Sequence, residues 1–102
     1  MIRIAIVDDE KFIREHVKKL IEDKQAECLL DTYSTGETLI QADKYYDIVF
    51  LDIQMDGMNG IDTARALRQN AENTVLIFVT GVKEYVFDAF DVAAFHYLIK
   101  PI

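Results

Sequence analysis

The sequence has little of several residue types, and each shortage excludes a class of protein. Its single cysteine, Cys28, cannot form a disulfide within the chain, which is typical of a reducing compartment. No apolar run approaches the roughly 20 residues that span a bilayer, and Met1–Ile4 lacks the layout of a signal peptide. There is one proline, and the chain has no repeat or low-complexity stretch. We therefore expect a cytoplasmic protein with no membrane partner.

Basic residues are also in the minority. The chain has 11 Lys and Arg against 18 Asp and Glu, which gives a formal net charge of −7. Phosphate backbones are bound through clustered Lys and Arg, so we expect no direct contact with nucleic acid. The length of 102 residues and the hydrophobic content of 51% fit one globular domain, residues 1–102, with a real core.

Strand-like and helix-like patterns alternate along the chain in the order βαβαβαβαβ. This alternation is typical of parallel strands that are joined by right-handed helical crossovers. The third strand is the most apolar and should be central, which predicts an α/β fold with a doubly wound five-stranded parallel sheet of flavodoxin-like order 2-1-3-4-5. The predicted strands are Ile2–Val7, Cys28–Tyr33, Asp47–Leu51, Val75–Val79 and Ala94–Ile99.

The helix boundaries follow from capping residues and apolar spacing. Asp8 or Asp9 is predicted to cap the first helix, and Ser34–Glu37 fits a capping box at the start of the second. Turn signals at Asp56-Gly57 and Asn59-Gly60 precede the third helix. The apolar face of the fourth helix is predicted to consist of Tyr85, Val86, Ala89 and Phe90.

No helical pattern follows the fifth strand, although parallel sheets are normally covered on both faces. We therefore expect a piece of a longer protein, truncated before its last helix, in which Phe95, Tyr97 or Ile99 is more exposed than in the parent. Exposed apolar side chains of this kind predict a homodimer through that patch, or a loss of stability.

Polar residues of a particular kind end four of the five predicted strands. Asp8 and Asp9 follow the first strand, Asp52 the third, Thr80 the fourth and Lys100 the fifth. Each residue alone is more often a cap, a turn residue or a surface side chain. Together, at the carboxyl edge of one parallel sheet, they predict a divalent-metal site that handles a phosphoryl group, because clustered carboxylates without a cation repel one another.

These strand ends resemble the receiver domains of bacterial two-component response regulators. The resemblance covers essentially the whole chain. It implies a receiver domain over residues 1–102 without its C-terminal helix or any output domain. The motifs that carry the resemblance are Val7-Asp8-Asp9-Glu10, Leu51-Asp52-Ile53-Gln54-Met55, Gly57-Met58-Asn59-Gly60, Val79-Thr80-Gly81 and Tyr97-Leu98-Ile99-Lys100-Pro101.

The resemblance implies a phospho-acceptor domain rather than a conventional enzyme. Asp52 would accept a phosphoryl group from a phosphohistidine of a sensor histidine kinase, with Lys100 and Thr80 contacting phosphoryl oxygens. Magnesium prefers octahedral oxygen ligands, and Mn²⁺ would be able to replace it. The implied ligands are Asp8, Asp9, Asp52 and the main-chain carbonyl of Gln54.

The resemblance also implies a conformational switch. Thr80 would move towards the phosphoryl group and Tyr97 would turn inward, which changes the surface of the fourth helix and fifth strand. The Lys100–Pro101 bond is expected to be cis. The segment Tyr85–Phe90 and the ending Lys-Pro-Ile look most like receivers that are joined to a LytTR-type DNA-binding output domain, which implies transcription regulation.

One position departs from the receiver pattern, because Asp56 stands where receivers usually carry proline. The loss of that proline should loosen the loop after Asp52. Two other functions remain open. A phosphatase of the haloacid dehalogenase type also has an Asp nucleophile after a strand, but it needs a second acid where this chain has Gln54. A receiver-like interaction module that acts without phosphorylation is the second alternative.

Overall fold

The computed structural model describes residues 1–24 and 27–102. Strands and helices alternate in the order that the sequence predicts, and most boundaries lie within one or two residues of the prediction. The strands are β1 (Ile2–Val7), β2 (Cys28–Tyr33), β3 (Ile48–Leu51), β4 (Val75–Thr80) and β5 (His96–Ile99). The helices are α1 (Lys11–Lys24), α2 (Gly36–Ala42), α3 (Gly60–Arg68) and α4 (Val86–Asp91).

The strands form one parallel sheet in the order β2-β1-β3-β4-β5, as predicted. The central strand β3 pairs Ile48 with Ile4 of β1 on one side and with Val75 of β4 on the other. Val49 and Leu51 of β3 have no solvent exposure. Burial of a short apolar strand between two neighbours therefore places the third strand in the centre.

Helices α2 and α3 pack closely over one face of the sheet. A Cβ atom on Gly36 would lie 1.9 Å from Oγ1 of Thr63 in α3, so only glycine permits this approach. Ala64, on the same helix, is fully buried. The amino-terminal end of α2 is therefore held against α3, beside the segment that follows β3.

Two local predictions were wrong. The cap of α2 is Thr35, whose side chain accepts a hydrogen bond from Thr38 N, rather than Ser34. Glu37 therefore has no role in a capping box. In α4, Ala89 is buried, but Val86 is 45% exposed and Phe90 is 82% exposed. The helix has only six residues and buries a narrow stripe, so a periodic pattern over so short a segment overestimates the buried face.

The other face of the sheet carries an open apolar groove beside α1. Its lining includes Ile4, Phe50 and Leu98. Phe95 and Ile99 are exposed, whereas Tyr97 is half-buried and packs against Phe78 of the core. Alternation along β5 turns Leu98 to the groove and Tyr97 to the opposite face.

Among the helices that the structure describes, none is long and apolar enough to cross a membrane.

Candidate functional site

Three of the predicted site residues meet at the carboxyl edge of the sheet. The Lys100 ammonium lies 2.9 Å from Oδ2 of Asp8 and donates a hydrogen bond of 3.3 Å to Oδ2 of Asp52. These side chains are largely buried, with exposures of 14% for Lys100, 3% for Asp8 and 5% for Asp52. The arrangement is a cation between two carboxylates in a crevice at the end of the sheet.

The backbone explains why these side chains meet. The amide of Asp8 donates to Tyr33 O at 3.1 Å, and the amide of Asp52 donates to Val7 O at 3.0 Å. Each bond continues the parallel ladder one residue beyond the strand, so the backbone of each residue is held in a fixed position at the sheet edge. Lys100 is held in the same way, because its amide donates to Thr80 O at 2.9 Å.

Burial and neighbouring charges shift the pKa values of Asp8 and Lys100. Burial raises the pKa of Asp8 above its ordinary value, and the neighbouring charge of Asp52 adds to this rise. The Glu10 amide and Lys100 act in the opposite direction without cancelling it. Burial lowers the pKa of Lys100, but the hydrogen bond to Asp8 and the charge of Asp52 outweigh burial and hold that pKa above its ordinary value. Lys100 is therefore a permanent cation at neutral pH.

A divalent cation fits the donor set. Oδ2 of Asp8 is buried, and the Lys100 ammonium at 2.9 Å is its single polar partner among the described residues. Carboxylate oxygens of Asp8, Asp9 and Glu10 lie within 4.8 Å of one another. Hard cations such as Mg²⁺ prefer such oxygens, and clustered carboxylates repel one another unless a cation lies between them.

The carboxylate cluster differs from the predicted ligand set, because it contains Glu10 and leaves out Asp52. Glu10 joins Asp8 and Asp9, and it also lies 3.6 Å from the Lys100 ammonium. Glu10 is not among the predicted ligands, although it directly follows the acidic pair. Asp52 is turned towards Lys100, and its Oδ1 accepts a hydrogen bond of 2.8 Å from the Ile53 amide. Gln54 has an exposed side chain in the loop that follows Asp52.

Thr80 and Tyr97 both contact Val82, in the segment between β4 and α4. The Thr80 side chain is buried, and its Oγ1 accepts a hydrogen bond of 3.4 Å from the Val82 amide. The Tyr97 hydroxyl donates a short hydrogen bond to the Val82 carbonyl. The Tyr97 ring therefore lies inward, and the Lys100–Pro101 bond that follows β5 is cis, as expected. Val82 is thus held by hydrogen bonds to residues of both β4 and β5.

Comparison with known proteins identifies the family of this fold and site. A family model described as the response regulator receiver domain matches residues 4–102. A sensory transduction protein LytT of Oceanobacillus iheyensis is 34% identical over 104 residues, which cover 98% of this chain and 42% of that protein. The positive alginate biosynthesis regulatory protein of Pseudomonas aeruginosa is 38% identical over 103 residues, which cover 97% of this chain and 41% of that protein. This chain thus spans about two fifths of the length of these relatives.

Solved structures show the same architecture. The BeF3-activated DrrB receiver domain superposes with a TM-score of 0.91 at 27% identity, over 100% of this chain and 86% of that chain. The response regulator TrrA of Thermotoga maritima, solved in complex with Mg²⁺ and BeF, has a TM-score of 0.88 at 33% identity, over 100% and 89% of the two chains.

Proposed function

The chain belongs to the response regulator receiver domains, and from this premise we propose that it is a phosphorylation-activated switch with Asp52 as the acceptor. The observation that carries the proposal is the buried Asp52 carboxylate, whose Oδ2 lies 3.3 Å from the Lys100 ammonium. A phosphoryl group on this oxygen would find its counter-charge already in place. Positioning and charge neutralisation are the main requirements of phosphoryl transfer.

The proposed transfer needs no acid or base from the protein. An Asp52 oxygen attacks the phosphorus atom of a phosphohistidine in line, and an O–P bond forms as the N–P bond breaks. The electron pair of that bond returns to the imidazole ring of the kinase, which takes a proton from solvent. Lys100 follows the new negative charge from the carboxylate to a phosphoryl oxygen, because its ammonium is a compact charge on a flexible stem.

A divalent cation, Mg²⁺ or Mn²⁺, would neutralise charge on the phosphoryl oxygens and orient them against Asp52. The residues proposed to hold it are Asp8, Asp9, Asp52 and the main-chain carbonyl of Gln54. The burial of Asp8 at the edge of the sheet and the convergence of its carboxylate with that of Asp9 support this assignment. The Mg²⁺–BeF complex of TrrA adds support from a relative of the same fold.

The proposed switch element is the segment that holds Val82. Thr80 releases the Val82 amide when its side chain rotates so that the hydroxyl donates to a phosphoryl oxygen, because the rotation carries Oγ1 away from an amide that is already 3.4 Å distant. Tyr97 then remains the contact that holds the Val82 carbonyl. A shift of this segment changes the position of α4 and thus the surface formed by α4 and β5.

The proposed partners are a sensor histidine kinase and an output domain, with the cytoplasm as the place of action. Similarity to the LytT proteins and to the alginate regulator supports an output that controls transcription, for which we propose a DNA-binding domain. In this arrangement the receiver itself contacts no DNA, consistent with its formal net charge of −7. A homodimer through the apolar patch at β5 is also proposed, since Phe95 is 73% exposed and Ile99 is 37% exposed.

Intact mass after incubation with acetyl phosphate tests the acceptor. We expect the chain to gain one phosphoryl group in the presence of Mg²⁺ and none in EDTA. Asp52→Asn should gain none under either condition. Asp62→Asn is the matched control, because Asp62 is an exposed aspartate on α3, and it should behave like the unmodified chain.

The outcomes separate the alternatives. A phosphoryl group that appears on Asp52→Asn at the normal rate would move the acceptor elsewhere. A folded chain that gains no phosphoryl group with Mg²⁺ would favour the interaction module that acts without phosphorylation. Release of inorganic phosphate from many substrates with turnover would indicate a phosphatase.

A further inference from the structure

The loop that follows Asp52 is attached at its two ends and at one point between them. At its start, Ile53 donates to Asp52 Oδ1 at 2.8 Å and accepts a hydrogen bond from Gly60 N at 2.8 Å. Within the part of the chain that the structure describes, residues 54–58 make a single hydrogen bond. The Met58 amide donates to Oε2 of Glu37 at 3.0 Å.

Glu37 is placed for this contact by rigid packing. It lies in the first turn of α2, next to Gly36, whose close approach to Thr63 fixes α2 against α3. The loop passes directly over its carboxylate: a Cβ atom on Gly57 would lie only 2.5 Å from Oε2 of Glu37. Gly57 also has a φ of +75°, which favours glycine.

The Glu37 carboxylate is partly buried beneath the loop. Its second oxygen, Oε1, is buried and accepts no hydrogen bond among the described residues. Burial of a carboxylate oxygen in this way is unfavourable, so the side chain is held at this point by the fit of the loop around it. Asp56, in the middle of the loop, is exposed and does not restrict its own φ as a proline would.

We infer that Glu37 is a positioning residue, which holds the loop so that the Gln54 carbonyl is presented to the metal site beside Asp52. The inference rests on the proposed function for the role of the metal. Glu37 does not touch the acceptor; it acts through the Met58 amide and the backbone between Met58 and Gln54. Without this contact, cation binding would have to order the loop, and the lost conformational entropy would weaken binding.

Three measurements on Glu37→Ala test the inference, with Glu22→Ala, an exposed glutamate of α1, as the control. In the metal-free protein, we expect the Met58 amide to exchange with solvent about tenfold faster, since a hydrogen bond to a charged acceptor is lost. By calorimetry, the Mg²⁺ dissociation constant should rise roughly tenfold. The rate of phosphorylation by acetyl phosphate should fall at limiting Mg²⁺ and recover at saturating Mg²⁺.

The conservative variant separates positioning from charge. Glu37→Gln retains an oxygen that accepts from the Met58 amide, so amide exchange and Mg²⁺ affinity should stay within about threefold of the unmodified chain. If Glu37→Gln binds Mg²⁺ as weakly as Glu37→Ala, the effect comes from charge and the inference is wrong. Unchanged Mg²⁺ affinity in Glu37→Ala also overturns it.

A second site guards against a variant that fails to fold. Gly57→Ala leaves Glu37 in place but brings a methyl group against its carboxylate, so it should also weaken Mg²⁺ binding. In the double variant, the loss of Mg²⁺ binding free energy should be smaller than the sum of the losses in the two single variants, because both substitutions break the same contact. Additive losses would show that the sites act independently. Met58 exchange and Mg²⁺ binding need no phosphoryl donor, so they decide the role of Glu37 even if the chain takes no phosphoryl group.

Discussion

Lys100 is the cation that allows two buried carboxylates to coexist, and its removal should be costly. Its ammonium lies 2.9 Å from Oδ2 of Asp8 and 3.3 Å from Oδ2 of Asp52. Lys100→Met keeps most of the apolar stem but leaves both carboxylates without this partner. Glu10, whose Oε1 lies 3.6 Å from the Lys100 ammonium, adds a further negative charge.

The size of the effect follows from burial. Breaking a buried ion pair by removal of one partner costs about 3–5 kcal/mol, because an uncompensated charge remains in a poorly solvated place. The crevice opens to solvent on the side of Glu10, which is 64% exposed, so we expect the lower end, about 3 kcal/mol. For a domain of this size, that corresponds to a melting temperature lower by roughly 10–25 °C.

Thermal and urea unfolding followed by circular dichroism in EDTA would measure this cost. Lys19→Met, at an exposed position on α1, is the matched control and should change the free energy of unfolding by at most about 0.5 kcal/mol. Two changes of condition should reduce the cost in Lys100→Met. Mg²⁺ supplies a replacement cation, and acid protonates Asp8, whose pKa is raised by burial.

Two outcomes would contradict a charge-neutralising role for Lys100. If Lys100→Met in EDTA unfolds within about 0.5 kcal/mol of the unmodified chain, the carboxylates are solvated well enough to need no cation. A cost that is the same with and without Mg²⁺ would instead assign the loss to packing of the lysine stem.

Three further predictions concern single contacts. Asp8→Asn should raise the free energy of unfolding in EDTA at neutral pH. The raised pKa of Asp8 means that folding disfavours its ionised form, so the gain should shrink as the pH falls through that pKa; a loss of stability in EDTA would contradict this. Tyr97→Phe keeps the packing on Phe78 but removes the hydrogen bond to Val82, and urea unfolding should show a cost of about 1 kcal/mol; no change would mean that water replaces the bond. Arg68→Lys should lower the free energy of unfolding by about 2 kcal/mol. The guanidinium donates to Val92 O at 2.8 Å, beyond α4, and to Thr74 O at 2.6 Å, beyond α3, and an ammonium cannot reach both carbonyls. Equal melting temperatures of the two proteins would refute that role.

Much of the fold was already determined by short-range pattern. Alternating periods predicted the order of strands and helices, and the apolar third strand predicted the centre of the sheet. Parallel strands bring their carboxyl ends to one edge whatever the details of packing. For that reason Asp8, Asp52 and Lys100 could be placed in one crevice from the sequence alone, and the structure brings them into contact.

Only the tertiary structure decided which side chains engage one another across elements. Ser34–Glu37 has the spacing of a capping box, yet Thr35 caps α2 and Glu37 turns to Met58, because the loop from β3 lies over it. The turn of Leu98 towards the open groove, and of Tyr97 towards the core, depends on the register of β5 at the sheet edge. Local spacing determines what a residue can do with its own segment. A partner from a distant segment competes for the same atoms. Which partner is bound depends on which segments the tertiary structure brings close together.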